Sequence, residues 1–440
     1  HRLPHRRRHH SREGVTILHA PVAITGLGAV SSLGFGVDTL WRALREGVDG
    51  IRPIERFATQ GFSVHTAGLV PLDPLDPPRK TADLALDFAL AAAREAVLHA
   101  RLDPLHAPPE RIAIVFGTSL ATHPEGIHRL AELVAEHVGA RGPRITLSTA
   151  CSSSTNALGF ARDLLRNEVA DVVIAGGSDA LTEEIFAGFH NLGLLTPGKC
   201  APFSDPPGTT LAEGAGFLVL ERAVDAAHRG AAPLAWISGY GLSCDAYHAT
   251  SPDPTGSGMA RAARAALADA GLDPADIDYV NAHGTGTEAN DPAEWRGILL
   301  ALGDRANSIP TSSTKSVLGH GQGAAGVLEL IATVLAMQHG AIPQTLHFTR
   351  PRPRCPEDPV AQRTPRPHPV RHALCNSSAF GGANAIVTLD AHDRPAPSHT
   401  TPRRAVHLLG AGLLVPGLDT AAALAAHPAP HTLAGRIPPG

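Results

Sequence analysis

The sequence predicts an α/β protein of two similar halves, each built on a mostly parallel sheet with helices on both faces. Three observations predict it. Short apolar runs that end in glycine alternate with longer stretches of helical spacing, the pattern of strand–helix–strand units. The order of segments recurs after about Pro233, which suggests an internal duplication. No run of about 18 apolar residues occurs, so the apolar segments belong to a buried core and membrane insertion is not expected.

The elements follow in order. Residues 1–20 are basic, with Arg6-Arg7-Arg8 and no apolar segment behind them, and read as a solvated tail with no export signal. Val22 to Val30 is a buried strand entering a glycine turn, and Val37 to Arg45 is a helix. Gly26-x-Gly28 is only a fragment of a dinucleotide loop: Ser31 stands where a third glycine belongs, and no ribose-binding acid follows. Leu69 to Pro78 is a loop rich in proline and aspartate, Ala82 to Ala100 a helix, Arg111 to Thr118 a strand and Gly126 to Ala140 a helix. Arg144 to Ser148 is β-prone, Thr149 to Ser154 a turn of small residues, and Asn156 to Leu165 a helix. Asp171 to Gly177 repeats the strand-then-glycine pattern and completes a first half over 21–232.

The second half, 233–390, uses the same grammar. Leu234 to Tyr240 is a strand, Met259 to Ala270 a helix, Ile277 to His283 a strand ending in a histidine, and Asp291 to Ala301 a helix. Ile309 to Lys315 leads into the small-residue loop Gly319 to Gly326, and a helix runs from Val327 to Met337. Pro351 to Pro369 is an irregular loop dense in proline and arginine, and Arg371 to Leu389 is a closing strand, turn and strand. Residues 391–440 form an extension in which Ala405 to Leu414 echoes the first strand and its glycine turn, a match too short to establish a repeat.

Composition narrows the function. With 440 residues, 43% hydrophobic and 18% charged, the chain can bury a large core, and a formal charge of -4 gives no support to a nucleic-acid partner. Five cysteines, at 151, 200, 244, 355 and 375, are scattered without a Cys-x-x-Cys pair. That pattern indicates neither a disulfide framework nor a zinc knuckle, and a reducing cytoplasm fits it.

Chemistry concentrates at Cys151. At the head of a helix, unpaired N–H groups and the helix dipole stabilise a thiolate and lower the thiol pKa. The alternative at this point is an inert buried thiol. His283 and His320 also end in small-residue loops, and one cysteine with two imidazoles suits acyl transfer by a thiolate. The three could also ligate zinc, although their wide separation lacks the short ligand pairs of such sites.

Several blocks together resemble the β-ketoacyl-acyl carrier protein synthases, condensing enzymes of the thiolase superfamily. They are Thr149-Ala150-Cys151-Ser152-Ser153, Asn281-Ala282-His283-Gly284-Thr285-Gly286-Thr287, Ser313-Thr314-Lys315-Ser316 with Gly319-His320, and Asn376-Ser377 with Phe380-Gly381-Gly382-Ala383-Asn384. The resemblance runs from about Val22 to Leu389. It implies an α/β, thiolase-like five-layered αβαβα fold with two duplicated halves, and a dimer. It also implies that Cys151 carries the acyl chain while His283 and His320 stabilise the enolate formed by decarboxylation of a malonyl thioester. Lys315 and Glu294 match supporting residues that hold the histidines and balance charge. The backbone N–H groups of Cys151 and Phe380 match an oxyanion hole, and the Phe380 ring a gate. Thr285 and Thr287 match threonines that contact the pantetheine arm, and Ser378 and Gly381 lie in a substrate-contacting loop. No cofactor or metal is implied, because phosphopantetheine arrives on the acyl carrier protein. The carrier is expected to dock through surface Arg or Lys against an acidic helix.

Two departures from the family pattern matter. The segment between Thr118 and Arg141 is shorter than in the family, where part of it borders the acyl pocket and reaches the dimer partner, so chain-length control and the partner surface are expected to differ here. Ser378-Ala379 stands where the family carries Phe-Gly, which is expected to open space beside the site and stiffen the loop. These favour a type II polyketide or specialised acyl pathway over housekeeping fatty-acid elongation, with an identical subunit or a homologous chain-length-factor-like subunit as partner. A non-catalytic chain-length factor is the rival reading, and Cys151, His283 and His320 argue against it. A degradative thiolase would need a second catalytic cysteine, and Cys375 lacks the matching context.

Overall fold

A computed structural model of the chain describes residues 22–72, 81–103, 107–120 and 123–394. The expected tail over 1–20, the 395–440 part of the extension with its Ala405 to Leu414 echo, and the end of the Leu69–Pro78 loop lie outside these residues.

Ten strands form one hydrogen-bonded path. In the first half they are β1 (Val22–Ser31), β2 (Ile112–Gly117), β3 (Arg144–Leu147), β4 (Val172–Asp179) and β5 (Gly214–Arg222). In the second they are β6 (Ala235–Cys244), β7 (Tyr279–Asn281), β8 (Thr311–Ser312), β9 (His372–Ala379) and β10 (Ala383–Asp390). The spatial order is β8-β7-β9-β10-β6-β1-β5-β4-β2-β3. Counted within its own half, each set of five lies in the order 3-2-4-5-1, so the expected duplication is present in the topology. The two sheets join where Val22, Ala23 and Ile24 of β1 pair antiparallel with Ile237, Trp236 and Ala235 of β6.

The expectation of mostly parallel sheets is corrected. In each half the second strand pairs in parallel with the third and fourth, while the fifth pairs antiparallel with the fourth and first. The Phe380–Gly382 turn explains one case, since it is too short for the crossover that a parallel pair needs. β5 was not anticipated: its apolar run opens on Gly214-Ala215-Gly216, which reads as loop.

The longer helices are α1 (Val37–Glu46), α2 (Thr81–His99), α3 (His128–Val138), α4 (Ser153–Arg166), α5 (Glu183–Asn191), α6 (Ser257–Ala270), α7 (Asn290–Leu302) and α8 (Ala325–His339). Side chains alternate between the two faces of a strand. Ala113, Val115, Val173 and Ala175 therefore point to a central cluster with α4 and α8, whereas Ile112, Ile114, Val172 and Ile174 pack under α2 and α3. In the second sheet Val387 and Leu389 face the same central cluster, while Leu374 and Ile386 pack under α6 and α7. The result is five layers: α2/α3, first sheet, α4/α8, second sheet, α6/α7. Burial on both faces is why the strands read as continuous apolar runs. α8 is buried on every side from Ala325 to Ala336, as a helix apolar all round must be. A Cβ on Gly326 would stand 2.0 Å from Thr155 Oγ1, so this glycine lets the start of α8 press onto the helix that follows Cys151.

Candidate active site

The Cys151 turn is braced by its own small residues. Ser152 Oγ donates to Thr149 O at 2.8 Å, and Ser153 Oγ lies 2.5 Å from Ala150 O and 3.0 Å from Thr118 O. Ala150 is held at φ +50°, a left-handed conformation costly for a residue with a Cβ, immediately before the cysteine. A second brace crosses from the other half: Tyr240 of β6 donates its hydroxyl to Asn156 Oδ1, and Asn156 Nδ2 donates to Thr149 Oγ1, each at 2.7 Å.

Cys151 sits just ahead of α4, as expected, but the expected lowering of its pKa is corrected. The side chain is buried, and burial pushes the thiol up to about 12 against the opposing pull of the Lys315 charge. Loss of solvation outweighs the helix terminus.

His283 follows β7, and its loop is clamped by Glu294 of α7, which accepts from the backbone N–H groups of His283 and Gly284, each at 2.7 Å. Asn376 Nδ2 also donates to Glu294, at 3.2 Å. Lys315 Nζ lies 3.2 Å from His283 Nδ1 and 2.6 Å from His283 O, and it ion-pairs with Glu329 of α8. In the other loop the Gln322 N–H donates to His320 Nδ1 at 3.1 Å. Each Nδ1 is therefore an acceptor, and each neutral ring carries its proton on Nε2. Both rings are held neutral, with pKa values well below the ordinary histidine range: burial is the main cause, and the Lys315 charge adds to it. The two rings meet edge to face, with centroids 5.3 Å apart.

Lys315 thus reaches a histidine ring, while Glu294 holds only the backbone of that histidine. The carboxylate that balances Lys315 is Glu329, which sequence reasoning missed. The signal was present, as a lone acid inside the otherwise apolar run of α8. Asp179, at the end of β4, was also missed. It accepts from Thr118 Oγ1 at 2.6 Å, Ser119 N at 2.9 Å and Gly323 N at 2.7 Å, joining the loop beside the Cys151 turn to the loop after His320.

Cys151, His283, His320, Phe380, Thr285, Thr287 and Ser378 line one cavity of about 310 Å³. Phe380 stacks on Phe189 with centroids 5.6 Å apart. Thr285 and Thr287 share a hydrogen bond of 2.8 Å. The Ser378 hydroxyl is turned to Asn384 Oδ1 at 2.8 Å. Gly381 is not among the lining residues; at φ +78° it bends the chain and donates its N–H to Ala249 O at 2.7 Å. Lys315 and Glu294 stand behind the wall, against His283.

A buried cysteine sharing a cavity with two neutral histidines, in a duplicated five-layer α/β body, defines a thiolase-like condensing enzyme. The chain belongs to the β-ketoacyl synthase family: the model of the N-terminal domain matches residues 19–226 and that of the C-terminal domain residues 234–349. It is 36% identical over 402 residues to 3-oxoacyl-[acyl-carrier-protein] synthase 2 of Staphylococcus aureus (strain COL), covering 83% of this chain and 97% of the relative. It is 37% identical over 400 residues to nodulation protein E of Rhizobium meliloti (strain 1021), covering 83% and 98%. Among solved structures it resembles the ishigamide ketosynthase/chain length factor (TM-score 0.79, 37% identity, 85% of this chain and 100% of that one). It also resembles a chain of AntDE:AntF, a type II PKS acyl-carrier protein in complex with its ketosynthase (TM-score 0.79, 30% identity, 85% and 100%). Among the described residues no helix is long and apolar enough to cross a membrane.

Proposed function

We propose that this chain condenses an acyl thioester held on Cys151 with a malonyl thioester borne by an acyl carrier protein, in a type II polyketide or specialised fatty-acyl pathway. The observation that carries the reading is the convergence of Cys151 with two imidazoles that both present Nε2–H. In the first step the Cys151 sulfur attacks the incoming thioester, the carrier thiol departs, and the cysteine proton ends on that thiol. The backbone N–H groups of Cys151 and Phe380 are the proposed donors to the tetrahedral oxyanion. In the second step malonyl thioester loses carbon dioxide, and negative charge builds on its thioester oxygen. His283 and His320 stabilise that enolate with donors already in place. The enolate carbon then attacks the acyl carbonyl, and the expelled Cys151 thiolate takes up a proton. The high thiol pKa favours this last protonation. Thr285 and Thr287 guide the pantetheine arm, Phe380 gates the passage, and Ser378 and Gly381 shape the loop beside it. The scheme uses only this chain's groups and calls on no resident cofactor or metal.

The carrier is an acyl carrier protein, and the subunit partner is an identical chain or a homologous chain-length-factor-like subunit; nucleic acid and membrane have no part. The matched relatives carry residues that this chain lacks, since the 402-residue match to the Staphylococcus aureus relative spans only 83% of 440 residues here. We assign part of that loss to the short segment between Thr118 and Arg141, which bears on chain-length control and on the partner surface. Five free cysteines agree with a cytoplasmic setting.

Incubation with an acyl-carrier substrate and intact-mass analysis tests the reading. The wild type is expected to gain one acyl group and Cys151→Ala none. A wild type that stays unacylated removes the enzyme reading and leaves the chain-length-factor role.

A further inference from the structure

A second hollow, of about 270 Å³, adjoins the catalytic cavity and includes Tyr247, Arg296 and Arg354 in its lining. Ser251, Pro252, Glu288 and Ala289 line both spaces, so the hollow opens at the mouth of the site. Arg296 and Arg354 are exposed, and among the described residues neither guanidinium makes a hydrogen bond or an ion pair. Glu288, the one carboxylate of the lining, stands beyond ion-pair distance of both.

Arg354 ends the run Arg350-Pro351-Arg352-Pro353-Arg354, which the condensation chemistry leaves unused. Arg352 turns inward and is 7% exposed. Its Nη1 donates to Thr287 O at 2.6 Å, its Nη2 to Gly286 O at 3.1 Å, and its Nε and Nη2 to Ser204 O at 3.0 and 2.8 Å. Asp291 lies 3.6 Å away as its counter-charge. The run is thus bolted to the loop that carries Thr285 and Thr287. Pro353 restricts the backbone on one side, and buried Cys355 anchors it on the other. Arg354 itself is held at φ +66°. Its guanidinium is therefore presented from a fixed backbone, which lowers the ordering cost of binding an anion.

Two unpaired guanidiniums in a concave space at the mouth match the chemistry of phosphate. We propose that Arg296 and Arg354 receive the phosphate of the phosphopantetheine arm while its thioester end enters the catalytic cavity. The inference rests on the condensation reading above. It commits to the arm and not to the carrier's acidic helix, because a hollow continuous with the cavity admits a compact anion on the entering thread.

The test compares acylation of Cys151 from acyl-pantetheine, acyl-4′-phosphopantetheine and acyl-carrier substrates, for the wild type and for Arg296→Glu/Arg354→Glu. The wild type is expected to prefer the phosphorylated over the unphosphorylated arm by about tenfold or more, and the double variant to lose that preference and slow with the carrier. Equal use of both arms by the wild type, or an undiminished preference in the variant, overturns the assignment. So does a variant that slows with the carrier yet still prefers the phosphorylated arm, since its cations then read the carrier's protein surface. A wild type acylated by none of the three sinks the condensation reading instead.

Discussion

Lys315 donates from Nζ to His283 Nδ1 at 3.2 Å and to the carbonyl oxygen of the same residue at 2.6 Å. One buried cation thereby disfavours protonation of the ring and directs the ring proton to Nε2. His283→Ala is expected to leave acylation of Cys151 intact by mass while slowing malonyl decarboxylation by about 10²–10³-fold. Lys315→Met is expected to let the histidine pKa rise, so that an acid limb enters the decarboxylation pH profile. A profile unchanged from wild type contradicts this positioning role.

The same lysine sets a stability test. Glu329→Gln leaves Lys315 buried without its partner and is expected to cost about 3–5 kcal/mol, read as a lowered thermal midpoint. Lys315→Met/Glu329→Leu removes both charges and is expected to regain most of that loss without regaining decarboxylation. If the double variant is less stable than Glu329→Gln, the cost does not come from an uncompensated charge.

Both histidines have native pKa values below the ordinary range, so near pH 6 the unfolded chain binds protons that the folded chain refuses. Their contribution to stability is complete above about pH 6.5 and declines as pH falls below it, by at most about 1.4 kcal/mol per histidine per pH unit. Denaturant titrations between pH 5 and 8 check the sign. Wild-type decarboxylation should show no histidine limb near 6.5.

With its thiol pushed up to about 12, Cys151 should react slowly with iodoacetamide at neutral pH, and its rate should keep rising beyond pH 9. Cys244, the exposed thiol, provides the internal contrast in a peptide-resolved alkylation experiment. A Cys151 rate that levels off below pH 8 would show that the helix terminus outweighs burial after all.

Gly159 touches the brace that crosses between halves. A Cβ there would stand 2.4 Å from the Tyr240 ring, so Gly159→Ala is expected to destabilise by about 1–3 kcal/mol. Because Tyr240 supports Asn156 and through it Thr149, acylation should slow as well. Normal acylation in a destabilised variant would confine Tyr240 to a packing role.

Legibility in the sequence followed burial and periodicity. The two halves of alternating strands and helices could be read because strands covered on both faces carry unbroken apolar runs, as in Ile112 to Phe116, whereas the five layers were implied only by the family resemblance. The nucleophile and histidine loops could be read because small residues crowd where side chains must converge, as in Thr149 to Ser154 and Gly319 to Gly326. The state of the thiol could not, since solvation at Cys151 depends on segments from both halves. Nor could the partner of Lys315, because Glu329 lies one helix later and only folding places it beside the lysine. Arg352 shows the same limit: in sequence it is one of several arginines in a loop, and only the chain path turns it inward to the carbonyls of Gly286 and Thr287.

The repeated 3-2-4-5-1 order has a consequence for the site. The loop after the third strand leads to Cys151 and α4 in one half, and to Lys315, His320 and α8 in the other. Matching positions of twin folds thus carry different groups, a thiol in one and an ammonium and an imidazole in the other. Neither half alone holds both the cysteine and the histidines that line the cavity.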